Sequence, residues 1–477
     1  MSRVIPIEPT ADFKARARGV LDDPAQRQNF RGAMDYLQSK RRAQFADEDE
    51  LQSLRDLGQQ IRRHSLAHLP RLLEQLETRL SANGVQVHWA QTPAEANAIA
   101  LAIAQRAQAR RIIKGKSMVS EEIHFNRAME DAGLEALESD MGEYIVQLAG
   151  EAPSHIIMPA IHKTKQEIAA LFAREVPGAS YTEDVDALID IGRRVLRSKF
   201  AQADIGLSGV NVAVAETGTL CLVENEGNGR MCTTVPRVHI AITGIEKVVE
   251  KLEHVPPILS LLTRSATGQS VTTYVNMISG PRRPGEKDGP QEVHLILLDN
   301  GRTQAYADEQ LRATLQCIRC GACMNHCPVY ARVGGHAYGT TYPGPIGAII
   351  SPHLQGLEST YPLAFASTLC GACTEVCPVK IPITDLLVRL RNEAQARPDS
   401  EEATLRGSGS ARRLKTSATW SVWAQVYGRL GLYKLASWFM SRGRGLSPSD
   451  QGAWTRSRTP LVPAPKRLRD LLKERQS

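Results

Sequence analysis

A layered α/β body, followed by a cysteine-rich, mainly helical module and a helical basic tail, is the fold class this sequence predicts. Three observations carry it. Short apolar runs of strand type alternate with helical stretches over about 230 residues; seven of the nine cysteines fall between Cys317 and Cys377; and cationic residues concentrate from Arg406 onward. Strands alternating with helices argue for a mainly parallel sheet. The 477 residues suffice for about three domains with cores of their own.

The elements follow in order. Residues 1–65 are charged and helix-prone and read as an N-terminal helical arm without a chemical motif. Residues 66–300 read as the α/β domain. Leucines at 66, 69, 72, 73, 76 and 80 mark a core-facing helix that Asn83-Gly84 stops. Val85, Val87 and Trp89 alternate as in a strand, and Thr92-Pro93-Ala94-Glu95 supplies an N-cap, a first-turn proline and a capping glutamate. Ile112-Ile113 reads as a buried strand, Ser120 begins a helical stretch, and His155–Met158 reads as another strand before a helix over Thr164–Phe172. Val210, Val212 and Val214 pair with Leu220–Val223, Val238–Ile242 leads into a segment over Glu246–Leu252, and Val293–Leu298 follows the loop 281–290. Residues 301–396 turn to cysteine, glycine and proline. Residues 397–477 form a polar linker and a basic tail with Trp420, Trp423, Trp438 and Trp454.

The formal charge of +7 conceals an asymmetry. From Arg406 there are 15 basic and 3 acidic residues; residues 1–405 carry 43 against 48. A mildly acidic body with a cationic tail argues against nucleic acid, because the charge is not threaded through a recognition fold. The tail suits docking on a partner or peripherally at the inner face of a membrane. No signal-peptide core and no uninterrupted 18-residue apolar run is present, and the clustered cysteines suit ligation in a reducing cytoplasm rather than a disulfide framework.

The decisive string is Cys317-x2-Cys320-x2-Cys323-x3-Cys327-Pro328, the bacterial ferredoxin run for a [4Fe–4S] cluster. Zinc, the rival, takes four thiolates from paired C-x2-C knuckles and has no use for the x2, x3 and proline pattern. A second run, Ser367-x2-Cys370-x2-Cys373-x3-Cys377-Pro378, repeats the first with serine in place of its first cysteine. In two-cluster ferredoxins the proline-marked cysteine crosses to the other cluster. One cluster then takes Cys317, Cys320, Cys323 and Cys377; the other takes Cys327, Cys370 and Cys373. The open position of the second goes to Ser367, water or a substrate, or loses its iron to give [3Fe–4S]. Forty-two residues separate Cys327 from Cys370, which favours a helical module over a compact β-type ferredoxin.

Weaker signals need weighing. Lys114-Gly115-Lys116-Ser117 resembles the end of a phosphate loop, but Arg110 stands where its first glycine belongs, leaving at most a carboxylate or phosphate site. No G-x-G-x-x-G occurs. Asp140-Met-Gly-Glu143 and His162-Lys-Thr-Lys165 suggest a pocket at strand ends, Glu216–Thr219 reads as a turn, Cys221 and Cys232 as buried thiols, and the His64/His68 pair lacks a third ligand.

Together ESDMGEYIVQL (138–148), PSHIIMPAIHKTK (153–165), VAVAETGTLCLVENEGNGRM (212–231), the two cysteine runs and the GGHAYG and YPGPIGA insert resemble the lactate utilisation protein B family. The likeness covers most of residues 70–395. It implies an α/β domain related to the sugar-phosphate isomerase and CoA-transferase-like group, a two-cluster ferredoxin module, and work with companion subunits that oxidise L-lactate to pyruvate. It implies no catalytic residue in the α/β domain, and it makes the serine at 367 ordinary for the family. Two functions remain: an electron-carrier subunit, or a subunit that itself oxidises a 2-hydroxy acid.

Overall fold

The computed structural model describes residues 12–395, 415–452, 455 and 459–476. The chain divides into two compact units, residues 1–408 and 409–477.

Among its described residues the first unit contains ten strands: β1 (Gln86–Ala90), β2 (Arg111–Lys114), β3 (Glu135–Glu138), β4 (Ile205–Gly209), β5 (Val212–Val214), β6 (Thr219–Glu224), β7 (Val238–Gly244), β8 (Val248–Val249), β9 (Tyr274–Ile278) and β10 (Glu292–Leu298). Six make an all-parallel sheet in the order β1-β10-β7-β4-β2-β3. Both faces are covered, as near-continuous apolar strands require. Along β10, Val293, Leu295 and Leu297 enter one core while Ile296 and Leu298 enter the other. The remaining four form a second sheet, β8-β5-β6-β9, with antiparallel β5-β6 and β6-β9 pairs. The tight Glu216–Gly218 turn, read as such from the sequence, folds β6 back on β5, and a hairpin must be antiparallel.

The sequence expectations hold at several elements. Leu69, Leu72, Leu73, Leu76 and Leu80 are the buried face of helix Leu69–Ala82, and the Thr92 hydroxyl accepts from Glu95 N at 3.2 Å. Two expectations fail. His155–Met158 is a loop rather than a strand: the Ile157 and Met158 amides donate to Nδ1 of His155 at 3.0 and 3.1 Å instead of joining a ladder. Glu246–Leu252 is two short 3-10 turns around β8, and the helix begins only at Val255, where Pro256-Pro257 fit the orphan first turn.

The N-terminal helices Pro24–Gln44 and Glu48–Ala67 wall the cysteine-rich module. Phe30 packs edge-on to Tyr330 at 6.3 Å, and Gln38 donates to Asn325 O at 2.6 Å. Their apolar residues share one core with the cysteines.

The second unit holds helices Lys415–Gly428 and Leu430–Arg442, parted by an extended Arg429, and helix Leu468–Gln476. Trp423 stacks on Tyr427 at 4.7 Å, yet Trp420, Trp423 and Phe439 stay exposed. Among the described residues no helix is long and apolar enough to cross a membrane. Arg406, the whole linker 396–414 and Trp454 lie outside the described residues.

Candidate metal centre and the cavity beside it

The two cysteine runs, offset by 50 residues, fold alike. Arg319 (φ 62°) and Gly321 (φ 74°) take left-handed backbone in the first; Leu369 (φ 56°) and Gly371 (φ 87°) do so in the second. A non-glycine residue there costs about 1–2 kcal/mol, so the turns are held by what surrounds them. Short helices Ala322–Asn325 and Ala372–Val376 follow. The Cys317 sulfur accepts from Arg319 N at 3.3 Å, and the Ser367 hydroxyl accepts from Leu369 N at 3.1 Å. Serine therefore occupies the equivalent of a ligand position, with the same local hydrogen bond.

All seven thiols are free, and every one except exposed Cys370 is buried. Burial pushes Cys320 up to about 12 and Cys377 up to about 11, and neighbouring thiols add to it. Those neighbours sort the residues. Cys320 feels Cys317 and Cys377, and Cys323 feels Cys320, Cys317, Cys377 and finally Cys373. Cys373, itself raised to about 11 by burial, feels Cys327 and then Cys370. Cys317, Cys320, Cys323 and Cys377 are thus near one another, as are Cys327, Cys370 and Cys373, and Cys323 and Cys373 are near each other as well.

Four thiolates at about 2.3 Å from one zinc stand about 3.8 Å apart. Among the described residues no three cysteine sulfurs lie within 4.8 Å of one another. Buried unbridged thiols, sorted in two groups and spread wider than one ion demands, fit iron–sulfur clusters, whose irons share the ligands' charge.

The surroundings of the groups differ. Around the first, Arg55 Nε donates to Cys377 O at 3.0 Å, Arg41 Nη2 to Val376 O at 3.3 Å, and Lys247 Nζ to Cys317 O at 3.2 Å. Arg62 reaches Gln316 O at 3.3 Å and Leu315 O at 3.0 Å. Burial beside Arg319 lowers Lys247 to about 7. In the second group, Cys370 is lowered by hydrogen bonds from Thr368 and the Ala372 amide, while Glu375 opposes.

A buried ion ladder ties the first loop to the α/β sheets. Arg302 binds Glu122 at 2.8 Å and Glu246 at 2.6 Å, Arg319 reaches Glu246 at 3.3 Å, and the Tyr342 hydroxyl donates to Glu122 at 3.0 Å. Burial would raise Glu246, but Arg302, Arg319 and Lys247 outweigh it and hold it near 2.

A cavity of about 540 Å³ opens beside Arg319. Gly115, Lys116 and Ser117 after β2, Gly209 at the end of β4 and Asp140 beyond β3 line it. β2 and β4 are neighbours whose onward connections run opposite ways, to β3 and to β5–β7; such a switch point is where open α/β sheets bind ligands. Lys116 and Asp140 thus stand where the motifs suggested. Lys114 does not: it is fully buried with Ser120 at 3.0 Å, Glu138 at 2.8 Å and Glu121. Glu143 lies in that same cluster, its carboxyl raised well above its ordinary value by burial and Glu138. Nor does His162-Lys-Thr-Lys165 line the cavity. His162 bonds Glu151 at 2.6 Å and meets His336 edge-on at 4.5 Å, with Lys163 also on Glu151; Lys165 pairs with Glu183 at 3.7 Å on the surface. Cys221 and Cys232 are buried thiols, raised by burial to about 11 and 12, and His64 pairs with Glu250 at 2.6 Å.

Arg41, Arg55 and Arg62 were missed by sequence reasoning. The one available signal was arginine at 55 and 62 on the same helix face as Leu51, Gly58 and Ile61.

Fold and cysteines together define an iron–sulfur protein built on an α/β domain. Residues 73–298 match the LUD domain, 313–381 the 4Fe-4S dicluster domain, and 389–477 the lactate utilisation protein B C-terminal domain. "Lactate utilization protein B" of Bacillus pumilus is 41% identical over 97% of both chains. The "uncharacterized electron transport protein YkgF" of Escherichia coli is 41% identical over 91% of this chain and 90% of its own. A Bacillus cereus lactate utilization protein B is 46% identical over 76% of this chain and 77% of its own. The chain belongs to the lactate utilisation protein B family.

Proposed function

We propose that this protein is the electron-carrying iron–sulfur subunit of an L-lactate oxidation system, in which lactate becomes pyruvate. Two clusters are held, one by Cys317, Cys320, Cys323 and Cys377, the other by Cys327, Cys370 and Cys373 with a non-thiolate fourth position. Each cluster, when bound, takes up and returns one electron. The observation that supports this reading best is the meeting of the two thiol groups at Cys323 and Cys373 in one core.

The chain's own residues prepare that chemistry. Six buried sulfurs keep water from the iron. Arg41, Arg55 and Lys247 hold the carbonyls flanking the first group, and their charge favours a reduced, more negative cluster. Cys370 is exposed, so a cluster it helped to hold would lie near the surface, where electrons could leave for an acceptor. Companion subunits oxidise lactate, the protein works in a reducing cytoplasm, and the basic tail docks on a partner.

The test is anaerobic mixing of reconstituted full-length protein with L-lactate while following the visible cluster absorbance. Bleaching only when companion subunits are added supports the carrier reading. Bleaching of the protein alone overturns it in favour of a subunit that oxidises the 2-hydroxy acid itself.

A further inference from the structure

We propose that the cavity at the β2/β4 switch point is a binding site for a 2-hydroxy or 2-oxo monocarboxylate, with the carboxylate seated on Arg319 and Lys247. The proposal rests on the reading above in taking the first thiol group to hold a cluster. It goes further in placing the acid, or its oxidised product, on this chain.

The first support is an unspent donor. Arg319 is only 9% exposed, and its Nη2 is engaged by Glu246, but Nη1 is buried without a partner. A buried guanidinium nitrogen left unmatched costs the folded protein desolvation that a ligand carboxylate repays. Tyr342 stacks under the guanidinium at 4.7 Å and the Glu122–Arg302–Glu246 ladder fixes it, so the fork is already oriented. Lys247, 7% exposed, offers a second donor beside it, its Nζ bonded to Cys317 O at 3.2 Å. Both side chains line the cavity.

The second support is the rest of the lining, which selects among anions. Asp140, Glu224 and Glu226 lie on the same walls, beside Asn211 and Asn228. Carboxylates repel a phosphate dianion more than a monoanion whose charge stays on Arg319; the hydroxyl of a 2-hydroxy acid can donate to them, and the oxo oxygen of a 2-oxo acid can accept from a side-chain amide such as that of Asn211 or Asn228. The volume admits a three-carbon acid with ordered water, or a longer chain.

The third support is position. Arg319 lies between Cys317 and Cys320 in sequence, and its backbone amide donates to the Cys317 sulfur. An acid bound to its guanidinium would touch the first cluster's ligand loop and leave the second loop alone.

The experiment titrates anaerobically reconstituted full-length protein with L-lactate, pyruvate and the uncharged lactamide by calorimetry, and repeats the additions under EPR. Saturable binding of the two acids but not lactamide is expected, with a change in one of the two cluster signals. Arg319→Gln should weaken binding by at least about tenfold. Because that variant alters a ligand loop, Val223→Trp serves beside it: it fills the cavity from β6, outside both cysteine runs, and its iron content reports whether the loops are kept. Loss of binding in V223W with full iron content supports the site. Absence of acid binding to wild type, or undiminished binding in V223W, overturns it. If wild type binds no acid yet is reduced by lactate with companion subunits, the cavity assignment fails and the carrier reading stands. If it binds acid but is never reduced, the carrier reading fails instead.

Discussion

The two cysteine loops are the same turn set in opposite surroundings. Both take left-handed backbone at matching positions, both bond the side chain of the leading residue to the amide two residues on, and both end in a proline-marked cysteine. The first is packed against helices from the N-terminus and a loop from the α/β domain, and ringed by cations. The second presents Cys370 to solvent, beside Glu375. Local sequence therefore writes the turn, while tertiary packing decides how deep its metal lies and which charges it meets. On the proposed reading, that difference would separate an inner cluster, near the cavity, from an outer one that hands electrons on.

The sharpest break in the comparison is ligand removal. Cys323→Ser should remove the inner cluster and much of the cooperative fold, because it empties a buried site among core side chains. We expect iron content to fall by half or more, with markedly reduced soluble yield. Cys370→Ser should lower iron by at most half and leave far-UV circular dichroism unchanged, since that sulfur is on the surface. Equal collapse in both variants would erase the asymmetry. Iron assay and circular dichroism on the same preparations decide it.

Glycine substitutions test packing apart from ligation. At Gly321 a Cβ would meet His155 Cε1 at 3.3 Å and Ile157 at 3.4 Å; at Gly371 it would meet nothing within 4 Å. Both carry the left-handed penalty of about 1 kcal/mol. Gly321→Ala should therefore lose its cluster absorbance several-fold faster on warming than Gly371→Ala, which isolates the contact from the α/β domain.

Next comes the serine. Because Ser367 already makes the hydrogen bond that Cys317 makes, Ser367→Cys should supply a fourth thiolate with little rearrangement. A three-iron EPR signal, if present in wild type, should convert to a four-iron one, and oxygen lability of the outer cluster should fall about two- to fivefold, a change of under 1 kcal/mol in barrier. Unchanged spectra would mean that the position is already filled by a ligand as strong as thiolate.

How much of this was legible beforehand follows from the range of the interactions. The spacing of the seven cysteines made the two matching turns legible, because the turns are local. Val238–Ile242 and Val293–Leu298 read correctly because strands covered on both faces are continuously apolar. β3 was invisible: Glu135-Ala-Leu-Glu138 is an edge strand with glutamates at both ends. His155–Met158 misled because an apolar run looks the same whether its amides join a ladder or a histidine ring. The cationic ring was out of reach, since Arg41, Arg55 and Arg62 act on carbonyls more than 180 residues away in sequence. Lys114 and Lys116 looked alike; only the fold shows one locked among glutamates and the other lining the cavity.

The smallest effect is one of pH, and it bears on the inner site alone. Burial, reinforced by Asp140, raises Glu226 to about 7, opposed by the Met141 amide and Lys116, with Glu224 adding to the rise. Below pH 7 the side chain is neutral; above it a further negative charge faces the cavity. Acid binding should therefore weaken as pH rises through 7, by about threefold between pH 6 and pH 8, the size of a charge–charge term in a partly solvated site. Glu226→Gln should make the slope shallower. The acid-induced change in the inner cluster's EPR signal should track the calorimetric affinity, while the outer cluster's signal stays constant from pH 6 to pH 8. An outer signal that moved with the acid would place the ligand at the open position beside Ser367, and would reverse the assignment of which cluster the cavity serves.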